Sequence, residues 1–265
     1  MSLRVNMARP GKIIEAEQRS SIQEVDGTLA GRLGRMSLGQ QVITLAIWPL
    51  LEQILSFMVN TVDLILATRM ADGDTRVAIM DALGLGGYAM WLMMILQGAV
   101  ATGVLAIVSR AAGARKPEEA RQGLVQGILA GLFMGILSGL IIRLSLPQII
   151  KIFGLSDAAS GYAFNYLSIL AWSCPFLGIF YACTNALRAI GDTRTPFFIM
   201  LFINMCNMIL SAAFVFLDPP LGGMGIAGLA WGSLLAWLLG TLVVVVKLSQ
   251  KHKNESEVIT LTLRQ

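Results

Sequence analysis

Four polar residues stand inside an apolar run at positions 42–66: Glu52, Ser56, Asn60 and Asp63, spaced four, four and three apart. On an α-helix that spacing places all four side chains on one face. The two carboxyls are then about 16 Å apart along the axis. A carboxylate among hydrocarbon is costly, so it faces a water-filled cavity or a partner. Two chemistries fit the pattern. One is a pair of protonated acids hydrogen-bonded inside a helix bundle; the other is a site that takes up and releases protons or cations. Asp63, nearer the far end of the run and next to Asn60 on the face, is the better coupling candidate. Glu52, flanked by Pro49 and Gln53, is a candidate second proton carrier or substrate contact. Pro49 predicts a bend in the same helix.

Two further groups invite the same question. Asn204, Asn207 and Ser211 recur at three and four residues in a later apolar run, and Ser233 follows in the next. Their amides and hydroxyls suit cation coordination, or hydrogen bonding between helices. Met93 and Met94, with Met90, Trp91, Phe133 and Met134, suit a pliable surface for apolar ligands, or ordinary core and lipid contact.

These residues need elements that cross a membrane. Of the 265 residues, 55% are hydrophobic and only 14% charged, against about 25% charged in soluble domains; mean hydropathy is +0.70. The expected fold is an all-α membrane protein with six transmembrane helices, at about 42–66, 83–108, 123–142, 158–187, 195–217 and 221–246, each long enough to span a bilayer. Residues 1–41 read as a cytoplasmic N-terminal tail without the pattern of a signal peptide, and 247–265 as a cytoplasmic C-terminal tail. Pro175 predicts a tilt or kink in the fourth helix. Thr195-Pro196 reads as the cap and first position of the fifth, and Pro117-Glu118-Glu119 as the start of the third. Gly123, Gly127, Gly131, Gly135 and Gly139 form a small-residue ridge on the third helix, and Gly228 and Gly232 a shorter one on the sixth.

With the N-terminus inside, sixteen basic residues fall on the inner side and four on the outer. The positive-inside rule therefore places both termini in the cytoplasm; in a bacterium the membrane is the cell inner membrane. The net charge of +4 is accounted for by this topology, so no nucleic-acid partner is expected. His252 is the only histidine and lies in a polar segment; Cys174, Cys183 and Cys206 lie in apolar runs without metal-ligand spacing. No metal site, catalytic residue or cofactor is expected. The absence of GxSxG, HExxH, CxxC and P-loop patterns argues against an enzyme and against ATP-driven transport by this chain alone.

Four stretches in order carry a family resemblance: Val62-Asp63 in a Pro-containing first helix; Val108-Ser109-Arg110-Ala111-Ala112-Gly113-Ala114 after the second; Leu187-Arg188-Ala189-Ile190-Gly191-Asp192-Thr193-Arg194-Thr195-Pro196 between the fourth and fifth; and Gly225-Ile226-Ala227-Gly228 opening the sixth. Over about residues 40–248 the chain resembles the multidrug and toxic compound extrusion (MATE) transporters. The resemblance implies one six-helix lobe of a two-lobed antiporter that exports amphipathic or cationic compounds against a proton or sodium gradient. It implies Asp63 as the coupling acid, with Asn207 in its fifth-helix position, Ser211 where the family has an acid, and Ser233 where it has a threonine. The implied partners are the lipid bilayer, small amphipathic or cationic substrates, and a second six-helix lobe or a second copy of this chain. The alternatives are a half-transporter that only assembles with other subunits, and a flippase for lipid-linked saccharides.

Overall fold

The structure, a computed structural model, describes residues 36–220 and 222–262, with side chains described through residue 250. The described residues form helices and connecting turns, with no strand among them. In order these are α1 (Leu38–Thr68), α2 (Gly73–Gly113), α3 (Pro117–Phe153), α4 (Asp157–Leu170), a 3₁₀ turn (Ala171–Ser173), α5 (Cys174–Ala189), α6 (Arg194–Phe216) and α7 (Ile226–Thr262). With α4, the 3₁₀ turn and α5 taken as one span, six helices have the length and apolarity to cross a membrane. The chain is an integral membrane protein. It divides into two compact units, residues 1–47 and 48–265. The first contributes the opening turns of α1, and the candidate site lies wholly in the second.

Local chemistry moves several helix ends from where hydropathy alone sets them. α1 starts at Leu38 because Ser37 and Gln40 form a reciprocal capping box: Gln40 N donates to Ser37 Oγ (3.4 Å) and Ser37 N to Gln40 Oε1 (3.1 Å). The cytoplasmic-tail reading of residues 36–41 gives way to this helix start, and the rest of that tail lies outside the described residues. α2 opens ten residues before the expected position, at Gly73, with Asp74 in its first turn, so Asp81 lies inside the helix. α7 continues to Thr262, through much of the segment read as a polar tail. Nothing stops it there: residues 241–265 contain neither glycine nor proline. At the start of α6 the cap is not Thr195. Asp192 Oδ1 accepts from Thr195 N (3.0 Å) and its Oδ2 from Thr195 Oγ1 (2.9 Å), so the helix begins at Arg194 and Pro196 sits in its first turn.

The interruption of the fourth span follows from Pro175. Proline has no N–H to donate to the carbonyl four residues back, Ala171 O. That carbonyl instead accepts from Cys174 N, one residue nearer, as a 3₁₀ turn does. Ser173 Oγ donates to Leu170 O at 2.6 Å and satisfies a second carbonyl of the interrupted turn.

The α3 glycine ridge is buried along its length. Added β-carbons there would meet Ile107 and Val104 of α2 at Gly123 and Gly127, and the backbone of α5 or the 3₁₀ turn at Gly131, Gly135 and Gly139. Gly178 of α5 meets Gly131 in return, so here two backbones touch. On α7, Gly228 sits against Phe214 and Gly232 against Ser211 of α6. The small residues let α3 and α7 approach neighbours at a distance larger side chains forbid. One core cluster joins Ala67, Leu85, Leu146, Leu167, Val215 and Leu229 at one end of the bundle. Another joins Cys183, Leu187, Ile203, Ala236 and Val244 at the other. Cys174 and Cys183 are buried free thiols.

Candidate functional site

α1 presents a narrow inward face. Glu52, Ser56, Val59 and Asp63 are half-buried on it, whereas Gln53 and Asn60 are exposed. The expected four-residue polar face is therefore a three-residue one. At 3.6 residues per turn Asn60 lies about 60° around the helix from Asp63 and about 80° from Glu52, enough to carry it off the buried side. Ser56 Oγ donates to Glu52 O of its own helix at 3.0 Å, which satisfies it locally.

Asp63 and Glu52 have different surroundings. Asp63 Oδ1 is buried and has no hydrogen-bond partner, and no ion pair among the described residues involves Asp63. The phenol of Tyr166, on α4, lies close enough to interact with its charge. Gly86 of α2 provides the space for that ring: a β-carbon at Gly86 would come within 2.5 Å of Tyr166 Cε1. Glu52, by contrast, accepts through Oε2 from Arg188 Nη2 on α5, 136 residues away. The coupling candidate is unpaired, and the second acid is held by a base.

The α6 and α7 polar residues meet as well. Asn207 Nδ2 donates to Ser233 Oγ at 2.8 Å across the two helices. Asn204, Asn207, Ser211 and Ser233 are all buried. Asn207 Oδ1, Asn204 Nδ2 and Ser211 Oγ have no partner. Buried polar atoms without partners are uncommon, and each calls for an explanation such as a bound ion, water or ligand group. Interhelical hydrogen bonding accounts for Asn207 and Ser233 in part, and for Asn204 and Ser211 not at all.

The axial register puts Ser211 and Asp63 at one depth, with Asn207 about a turn short of it. Trp48 of α1 packs on Phe197 of α6, ring centroids 5.2 Å apart, and at their other ends Ala67 and Val215 join the same core cluster. The two helices thus run in the same direction. Asp63 lies fifteen residues past Trp48 and Ser211 fourteen past Phe197, or about 22 and 21 Å along their axes.

The methionine candidates separate. Met93 is buried with Ile142, Ala171 and Cys174, so it packs against the break in the fourth span. Met94, next in sequence, is exposed. The sequence reading did not single out Tyr166 or Arg188 for a role. Arg188 stands in the sequence as one basic residue of the Leu187–Pro196 motif, with nothing to pair it with Glu52, and Tyr166 carries no local signal. The same holds for Gln97 of α2, buried, which donates to Ser138 Oγ of α3 at 3.4 Å.

An unpaired carboxylate inside a bundle of membrane-spanning helices that also buries a hydroxyl at its depth and amides nearby defines the chain as an integral membrane protein with an intramembrane polar site. The MatE family model matches residues 49–213, and the chain belongs to that family, the one its motifs resemble. Among relatives, it is 20% identical over 77% of its length to the uncharacterized transporter YisQ of Bacillus subtilis, covering 44% of that protein. It is 22% identical over 66% of its length to the probable multidrug resistance protein NorM of Thermotoga maritima, covering 38% of it. The fold matches an outward-facing multidrug resistance MATE transporter of the MOP superfamily with a TM-score of 0.71 at 21% identity, over 80% of this chain and 45% of that one. It also matches a MOP superfamily transporter from Pyrococcus furiosus, TM-score 0.72 at 21% identity, over 82% and 46%. The chain spans less than half the length of each of these proteins.

Proposed function

We propose that this chain forms one lobe of a cation-coupled antiporter that exports amphipathic or cationic compounds, resident in the cell inner membrane with both termini cytoplasmic. The observation that carries the reading is Asp63: a carboxylate within a spanning helix whose buried oxygen has neither a hydrogen bond nor a basic partner. Such a group costs least when it holds a proton or a cation. Binding and release of that ion changes the charge of the site by one. Ser211 Oγ, at the same depth, and Asn207 Oδ1, about a turn away, are neutral oxygen donors of the kind that completes the shell of an alkali cation without adding charge. The probable multidrug resistance proteins among its relatives support an export role of this kind.

Alternating access requires two halves that rock against each other. The lobe therefore works with a second lobe or a second copy of itself. The experiment is flux of a fluorescent cationic dye into or out of liposomes holding the purified chain, driven in turn by a proton and a sodium gradient. Gradient-driven flux that disappears in Asp63→Asn supports the reading. Equal flux from both proteins removes Asp63 from the mechanism. The competing reading is a lobe that assembles without transporting alone. Under that reading gradients drive no flux in the reconstituted chain, and flux returns when a second lobe is supplied.

A further inference from the structure

α1 is held to the bundle at its ends and hardly at all between them. No residue is buried in its most apolar eighteen-residue window, and Ala67, near its last turn, is its only buried residue among those described. Its contacts with other elements gather toward Trp48. That ring packs on Phe197 and Phe198, at 5.2 and 6.1 Å between centroids, and Arg194 lies 5.5 Å above it. One turn further on, Glu52 receives Arg188, the one hydrogen bond among the described residues that ties α1 to another helix. Arg188 shares a face of α5 with Asn185 and Tyr181, three and seven residues earlier.

We propose that the Glu52–Arg188 pair is the clamp that fixes α1 to α5. Arg188 Nη2 bonds Glu52 Oε2, while Arg188 Nε and Glu52 Oε1 are buried and lack other partners. A guanidinium and a carboxylate can join by two parallel bonds as well as by one, so each group's remaining buried atom has its natural partner in the other. Two partly buried charges are kept together strongly, since either one alone would stay behind unpaired. The proposal does not rest on the export reading: it concerns how one helix is attached, whatever the lobe carries.

The test is hydrogen–deuterium exchange on the purified chain in lipid nanodiscs, read by peptide. The variants are Glu52→Gln, Arg188→Met, both together, Arg188→Lys, and the swap Glu52→Arg with Arg188→Glu. Exchange over residues 48–66 is expected to rise about tenfold in the neutral variants, through easier local opening. It stays near the parent rate in Arg188→Lys and in the swap, and α3 and α7 are unaffected throughout. If the single variants do not fold, the doubly neutral protein, which leaves no charge unpaired, decides the matter. Parent-like exchange at 48–66 in the doubly neutral protein overturns the clamp. So does an increase spread evenly over all helices, because the pair would then support the whole bundle and not one attachment.

Discussion

The Asn207 amide donates to Ser233 Oγ at 2.8 Å across α6 and α7 while its own Oδ1 stays buried without a partner. One end of the amide is thus committed to structure and the other left open. Asn207→Ala and Ser233→Ala are each expected to destabilise the protein modestly. In a double-mutant cycle they should couple by about 0.6 kcal/mol, and by no more than about 1.7, the range of hydrogen bonds between membrane helices. Thermal unfolding of the detergent-solubilised variants measures it. Additive losses would mean that the contact carries no stability.

Gly131 and Gly178 predict a sharper effect. A β-carbon on either would run into the other's backbone, and backbone cannot yield as a side-chain tip does. Alanine at either position is expected to cost about 1–3 kcal/mol through overpacking. Gly161 on α4, where nothing lies within 4 Å of an added β-carbon, is the control. Gly161→Ala should be neutral or stabilising by up to about 1 kcal/mol, since alanine is the better helix former.

Gly86 bears on the site itself. Gly86→Ala is expected to push the Tyr166 ring out of its slot and so to alter the surroundings of Asp63. Its effect on gradient-driven flux should match that of Tyr166→Phe, and combining the two should add little, because both act on one phenol. Flux unchanged by Gly86→Ala would show that Tyr166 is packing alone.

Asp192 is expected to set the start of α6. Asp192→Ala removes the acceptor for Thr195 N and Thr195 Oγ1 and should cost about 0.5–2 kcal/mol. Asp192→Asn, which keeps a cap-competent oxygen, should recover most of that loss in the same unfolding assay.

Much of this protein is written in short stretches of its sequence. The apolar lengths of the six spans, the inward face of α1 around Asp63, the glycine ridge of α3 and the interruption ahead of Pro175 each depend on residues within a few turns of one another. Helical periodicity and the missing proline N–H act over that range. The family, too, is legible in four short motifs, the loop from Leu187 to Pro196 above all. Local pattern is weaker at the edges. The Ser37–Gln40 box sets one helix start ahead of the apolar run, Asp192 takes the capping role that Thr195-Pro196 suggests for Thr195, and the absence of glycine and proline carries α7 past its apolar run.

What neighbouring residues could not decide was which acid has a partner. Glu52 and Asp63 stand in the same helix, on the same face, in similar apolar company, and by sequence they are near equals. Folding brings Arg188 to Glu52 from 136 residues away and Tyr166, with no base, to Asp63. The same long-range packing buries Met93, leaves Met94 exposed, and joins Asn207 to Ser233. Coulomb and hydrogen-bond energies depend on distances of a few ångströms between side chains, and those distances are settled only when all the helices have found their places.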